Sequence, residues 1–544
     1  MDGTAGDLTP DSRAATLRNS AVMSSGTLLS RLTGLVRVSV TLAALGLTAV
    51  SDTYNAANTT PNMIYELVLG GILTSVFVPL IVTRLRSHEE WTSVVARFLT
   101  LAVVVLGGLA AVGMLAAPWI MRLYLGGVAD PVQRAEQVAL GTTLLRWFMP
   151  QVVFYGIAAI AGGVLTAHRR FAAQMFAPVL NNLVVIATMG ALIALGVEGR
   201  SPTQLSDAQV TLMGLGTTLG VVAMALALWP ALRRTGMRWR PRFDWRHESV
   251  RALGQLGRWV VLYVAVNQLA YLILIRFNGR VGPGSYTAYS QAFVFFSLPH
   301  AIVAVSIFTA LLPGMAERWG AGRREGVVEL YSRGLRDTLV MMLPAAAGLV
   351  VLAGPIVALL AGYGAVGGAQ QALLADTLAA FAVGLPFFSA FQLLTRTFYA
   401  TTDSRTPALV NVGVAVVDLG VAALLAFAFD LGVPGLALGH AVSYVAGTAV
   451  LVVALRRRIG GVDGRRVAAT AVRAGAAAVV CAAVAWLTAR GVGSVVDVAR
   501  ALGRLIQVTA AISTGLLAFL ASSVMLRVAE VDDVRRTLVR RWRR

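Results

Sequence analysis

There is no lysine in this chain: all 46 basic residues are arginine. Cysteine is nearly absent too. Cys481 stands alone in an apolar run, so neither a disulfide within the chain nor a cysteine-based metal site can form; it reads as a small core residue. Charge is scarce. Charged residues are 13% of the 544, against about 25% in soluble domains. The sequence also lacks a Walker A loop, a metal-spaced histidine pair and a nucleophile elbow, and so carries no enzyme signature. A net charge of +20 would suit nucleic acid. The arginines, however, fall in short segments between apolar stretches, with no aromatic-interleaved basic surface, and no nucleic-acid partner is expected.

What is abundant is apolar sequence: 57% hydrophobic residues and a mean hydropathy of +0.73. A spanning helix needs about 20 mostly apolar residues. That ruler predicts an all-α integral membrane protein with about fourteen transmembrane helices, near 20–47, 62–83, 93–121, 137–167, 172–197, 210–232, 250–277, 285–312, 335–361, 371–400, 407–429, 433–455, 467–489 and 505–527. The polar segment 1–19 has no short apolar core or cleavage site and is expected to be a cytoplasmic tail, the first apolar run being retained. Arginine concentrates in alternate loops. One side carries Arg84, Arg86, Arg169, Arg170, Arg233, Arg234, Arg323, Arg324 and Arg456 to Arg458; the other carries little beyond Arg122, Arg134, Arg200, Arg280 and Arg490. The positive-inside bias then puts both termini in the cytoplasm.

A faint repeat supports two halves. Leu165 to Phe171, followed by Pro178 and Asn182, parallels Phe398 to Arg405, followed by Pro407 and Asn411; Phe77-Val78-Pro79 parallels Leu311-Leu312-Pro313. Each pair is six helices apart; Pro178 and Pro407 are expected to open a helix, where a missing N–H costs nothing, and Pro79 and Pro313 to lie near the end of one. The simplest organisation is a lobe over 20–232, a basic linker over 233–249, a second lobe over 250–455, two extra helices over 456–528 and a basic tail over 529–544. Transporters built from repeats place their substrate site between them.

Arginine at the bilayer centre costs about 2.5–3.5 kcal/mol on insertion scales, so it should face a cavity or a partner. The first helix has two, Arg31 and Arg37, in the run Ser30-Arg31-Leu32-Thr33-Gly34-Leu35-Val36-Arg37. Their directions differ by about 120°, so both can line one wide cavity. A snorkelling pair or an internal salt bridge is the alternative. Arg146 and Arg396 also lie deep in predicted helices. Guanidinium gives phosphate two parallel charge-assisted hydrogen bonds and never deprotonates, so a cationic cavity implies an anionic cargo such as a pyrophosphate. Opposing them are Asp52, Glu66 and, midway along the eleventh helix, Asp418, which needs a cation, a proton or an arginine. Asn267 and Asn411 are candidates to share an ion-coupling site with it; simple pairing or a protonated structural acid is the other reading. His300 and His440 suit polar lining or packing equally.

These residues resemble a known family. The Ser30-to-Arg37 run, Asp52, Pro61-Asn62 and Val76-Phe77-Val78-Pro79 are similar to the MurJ/MviN lipid II flippases, and the segments around 165–182 and 398–407 look like further signatures of it. The resemblance covers about 17–455. It implies the multidrug/oligosaccharidyl-lipid/polysaccharide exporter fold: two six-helix lobes around a central cationic cavity, with two further helices forming a groove for a polyprenyl tail. It also implies that Arg31, Arg37 and Asp52 match family positions, with Arg37 the nearer to a pyrophosphate. Asn62 belongs to the Pro-Asn motif. Tyr65 and Glu66 stand where many members carry arginine, and Tyr289-Ser290-Gln291-Ala292 lacks the arginine of the family's Tyr-Ala-x-Arg, so Arg146 or Arg396 is expected to compensate. The run 66–71 looks closer to actinobacterial members.

The expectation is a flippase in the bacterial cytoplasmic membrane. It would move lipid II, a lipid-linked peptidoglycan precursor, from the inner to the outer leaflet by alternating access. No cofactor is expected; Na+, H+ or the membrane potential would drive it. Its partners would be lipid II, membrane lipids and cell-wall synthesis proteins. An exporter of another polyprenyl-linked glycan, or a non-transporting scaffold for cell-wall synthesis, are the alternatives. A drug exporter for cations would instead line its cavity with acids.

Overall fold

A computed structural model describes residues 10–68, 91–168, 170–237 and 258–532. Every regular element among them is helical. The helices are α1 Pro10–Leu45, α2 Ala49–Val68, α3 Trp91–Tyr124, α4 Pro131–Phe148, α5 Gln151–Ala167, α6 Phe171–Ala194, α7 Asp207–Arg233, α8 Arg258–Val281, α9 Ser285–Pro299, α10 Val305–Gly320, α11 Arg324–Ala361, α12 Gly368–Val383, α13 Leu385–Ala400, α14 Arg405–Ala423, α15 Gly432–Ile459, α16 Gly464–Val495 and α17 Ala501–Met525.

Eleven spans are long and apolar enough to cross a membrane, or twelve if the bent pair α12–α13 is one span. Fourteen were expected. The other two, 62–83 and 250–277, run into 69–90 and 238–257, which lie outside the described residues, as does Phe77-Val78-Pro79. Large apolar side chains face outward: Leu115 is 79% exposed, Trp119 71% and Val472 72%. In water such a surface would drive association; against lipid it is the ordinary exterior, because helices satisfy their own backbone groups.

The chain divides into two compact units. One comprises the described residues up to Val264 except 46–48 and 126–129; the other takes those two short segments and Ala265 onward. The fourth and tenth predicted spans are each broken in the middle, α4 from α5 at Met149-Pro150 and α12 from α13 at Gly384, where the bend is 48°. Pro150 and Pro386 explain this, since proline supplies no N–H to the preceding turn. Both spans then end on the same closure: the Arg170 N–H donates to the Leu165 carbonyl at 2.8 Å, and the Asp403 N–H to the Phe398 carbonyl at 2.9 Å. The repeat departs from expectation at two prolines, one of them Pro313, which lies inside α10 and not near its end, since the helix runs on to Gly320. Pro407 lies in the first turn of α14, whereas Pro178 is the eighth residue of α6 and not its opening.

In the second unit, α16 and α17 pack on each other and on α11. Cys481 is buried there with Val340, Ala474, Ala477, Ala478 and Phe519. Gly515 approaches the Cys481 carbonyl so closely that an added Cβ would lie 3.2 Å from it. The segment after α17 is fixed by Glu530, which pairs with Arg336 of α11 and accepts from Thr470 of α16.

Candidate functional site

In the first unit, α1 is held against α6 at two levels. Gly26 leaves no room for a side chain: a Cβ there would come within 2.7 Å of the Met175 Cβ. Higher up, the Asn182 amide donates to the Ser30 carbonyl at 3.2 Å and to the Thr33 hydroxyl at 3.0 Å. Thr33 in turn donates to the Leu29 carbonyl at 2.8 Å. These contacts fix the rotation of α1 and hence the directions of Arg31 and Arg37. Arg31 is exposed and Arg37 half-buried. Neither forms an ion pair with an acid among the described residues.

Arg37 lies within electrostatic reach of Tyr54 on α2 and Tyr155 on α5. Tyr54 is buried. Its hydroxyl shares a 3.0 Å hydrogen bond with Thr217 of α7, and its ring meets Phe148 of α4 edge-on at 5.5 Å. Tyr155 stacks at a tilt on Tyr65 with ring centroids 4.6 Å apart. Two phenols therefore lie within reach of one guanidinium, and a third, Tyr65, packs on one of them. The arrangement supplies a permanent positive charge, hydroxyl donors and flat apolar faces, which together suit an anionic group attached to a sugar. Asp52 is buried one turn before Asn55 on the same helix and has a partner. Asn62 lies on α2 and is half-buried; the side chain of Glu66 lies outside the described residues.

Arg146 is not brought to this cluster. It stands two residues from Phe148 on α4, about 200° away around the helix. Phe148 faces Tyr54, so Arg146 faces the other way. It is exposed, and its Nε donates to the Met114 carbonyl of α3 at 3.4 Å.

In the second unit, Arg396 of α13 lies over the Phe308 ring, 5.2 Å from its centre, with His300 and Tyr399 nearby. Asn411 of α14 donates to Asn267 of α8 at 3.0 Å. Asp418 lies seven residues further along α14, on nearly the same face and about 10 Å away. It is not joined to the asparagines by any hydrogen bond among the described residues; its partner is His440 of α15, with Nδ1 3.2 Å from Oδ2. No described residues form a cluster of His, Cys, Asp or Glu fit for a metal ion.

Sequence reasoning left out Tyr54, Tyr155 and Thr217, and did not assign His440 to Asp418. For Tyr155 no local signal exists, since α5 is almost wholly apolar. For His440 the signal is Gly435 and Gly439. With no side chains there, α15 lies directly on the α14 backbone: a Cβ on Gly439 would meet the Ala422 backbone at 2.6 Å, and one on Gly435 the Ala426 backbone at 2.9 Å.

A family model described as lipid II flippase MurJ matches residues 42–500. The lipid II flippase of Burkholderia cenocepacia is 27% identical over 444 residues, covering 80% of this chain and 83% of the relative. A probable lipid II flippase of Thermotoga maritima is 27% identical over 445 residues, covering 81% and 86%. These relatives lend no support to the expected nearness to actinobacterial members. Among solved structures, a lipid II flippase in an inward closed conformation superposes with a TM-score of 0.73 at 19% identity, over 93% of this chain and 99% of that one. A multidrug resistance MATE family transporter of the MOP superfamily, in an inward-facing conformation, gives 0.64 at 14% identity, over 82% of this chain and 99% of that one.

Proposed function

The chain belongs to the lipid II flippase MurJ family, and from that premise we propose that it carries lipid II from the inner to the outer leaflet of the bacterial cytoplasmic membrane by alternating access. One observation carries the reading at the level of residues. Arg37 sits near the middle of the apolar span Ser25–Leu45 of α1, half-buried, without an acid partner among the described residues, and within reach of Tyr54 and of Tyr155, on which Tyr65 packs. A guanidinium held at that depth at a cost of about 2.5–3.5 kcal/mol needs a compensating anion. A pyrophosphate meets the need with bidentate hydrogen bonds, and the tyrosine faces suit the sugar joined to it. Arg31, exposed on the same helix, guides the headgroup toward Arg37.

The arginine-rich loops support an orientation with both termini in the cytoplasm. Cell-wall synthesis proteins that make and use the cargo are its partners. No cofactor takes part. Coupling to Na+, H+ or the membrane potential is assigned to the second unit, where Asn267, Asn411 and Asp418 supply the polar groups.

The test is reconstitution into proteoliposomes loaded with lipid II on one leaflet, scored by its accessibility to an added glycosyltransferase on the other. Wild type should move lipid II, and Arg37→Ala should not. Equal movement by both removes Arg37 from the site. Movement of an undecaprenyl phosphate-linked glycan but not lipid II reassigns the cargo.

A further inference from the structure

Asp418 and His440 form the most enclosed pair of ionisable groups among the described residues of the second unit. The Asp418 side chain is 9% exposed and that of His440 13%. Oδ2 of Asp418 meets Nδ1 of His440 at 3.2 Å, while Oδ1 and Nε2 have no hydrogen-bond partner. The imidazole stands in a box of aromatic rings drawn from four helices. Phe293 and Phe296 of α9 lie 5.5 and 6.3 Å from it, Phe381 of α12 5.5 Å, Phe388 of α13 6.3 Å, and Tyr444 of α15 itself 4.8 Å. Several of these contacts are edge-on, at 87°, 84° and 79°.

An ionised carboxylate only accepts hydrogen bonds, so Nδ1 must be the donor in this contact. That leaves Nε2 as the position where a proton comes and goes. With Nε2 bare, the pair carries a charge of −1 inside an apolar bundle, which is costly. With Nε2 protonated, imidazolium and carboxylate cancel, and the aromatic faces attract the cation. The other titratable groups facing the pair are phenols: Tyr289 of α9 beside Asp418, Tyr271 of α8 beside Tyr289, and Tyr444. None supplies a competing positive charge. The helices are also irregular here, since α14 passes into a π turn at Leu424–Ala428, directly after the stretch that carries Asp418. Such turns occur often at functional sites.

We infer that the Asp418–His440 pair is a binding site for one exchangeable proton, taken up from water at Nε2 and changing the pair's charge from −1 to 0. It rests on the proposed transport function only for its purpose, as the coupling site, and is separate from the Asn267–Asn411 contact.

The experiment is a proton count on the purified full-length protein with a pH-indicator dye, stepping from about pH 8 to about pH 5. Wild type should take up about one proton per chain more than the double variant Asp418→Asn/His440→Gln, which keeps neither protonatable group, tested after confirming monodispersity. Asp418→Asn and His440→Gln singly serve as folding controls, and Gly439→Ala, which disturbs the seam without removing either group, gives a second reading if the double variant misfolds. A difference near zero for the folded double variant overturns the inference. In the proteoliposome assay, an imposed pH gradient should change the rate of lipid II movement in wild type but not in Asp418→Asn. Lipid II movement without the extra proton sinks the proton site and leaves the cargo; the extra proton without lipid II movement sinks the cargo and leaves the proton site.

Discussion

Replacing Arg37 by alanine separates binding from folding cleanly. The guanidinium has no acid partner among the described residues, so its removal strands none of their carboxylates, and the α1–α6 seam of Gly26, Asn182 and Thr33 is untouched. Thermal stability should therefore barely change. Binding should change a great deal. A hydrogen bond to a charged group contributes about 1.5–3 kcal/mol, which at about 1.4 kcal/mol per decade is roughly 10- to 150-fold in Kd. Arg37 is only half-buried, and water screens it in part, so the expected loss is in the lower half, roughly 10- to 40-fold. Arg37→Lys keeps the charge but loses the planar fork, and should lose only a few-fold of affinity. Native mass spectrometry of the detergent-solubilised protein with lipid II, against undecaprenyl phosphate as the reference, reads both effects. A loss smaller than about twofold for Arg37→Ala, with stability intact, refutes the assignment of this guanidinium to the anion.

Other substitutions test neighbouring parts of the reasoning. Arg146→Ala should leave lipid II movement within about twofold of wild type, because its side chain reaches only the Met114 carbonyl; a collapse of transport would restore it to the site. Arg336→Ala strands the buried Glu530 carboxylate and should destabilise the second unit by about 3 kcal/mol, the lower end for a broken buried pair because Arg336 is partly exposed; unchanged thermal unfolding in detergent would contradict this. Gly439→Ala places a methyl 2.6 Å from the Ala422 backbone and should cost about 1–3 kcal/mol by overpacking. It should also abolish the extra proton uptake, and a wild-type proton count would show that the helix seam does not set the pair.

The fold was legible because a bilayer imposes one rule on every span, apolar length, and each predicted span coincides at least in part with an observed helix. Mid-span breaks were harder to read. Pro150 and Pro386 interrupt hydrophobic runs without changing their hydropathy, so they leave no mark on a length criterion. Arg31 and Arg37 were conspicuous because charge is rare in such sequence. Tyr155 was not, since a phenol inside an apolar helix is unremarkable until its neighbours across the bundle are known. Asp418 was visible as an isolated acid, yet its partner is 22 positions away on the next helix, and only the glycine seam brings them together.

Helix α15 runs unbroken from Gly432 to Ile459. His440 stands near one end. At the other, Arg458 grips the Thr401 carbonyl at 2.7 Å and the Asp403 carboxylate at 3.3 Å, where α13 turns into α14. Eighteen residues of helix make a strut about 27 Å long. At Gly435 and Gly439 the strut is mounted backbone on backbone, with no side chain at those two positions to yield by changing rotamer. A tilt begun at the imidazole therefore arrives at the Arg458 latch as leverage instead of being absorbed along the way.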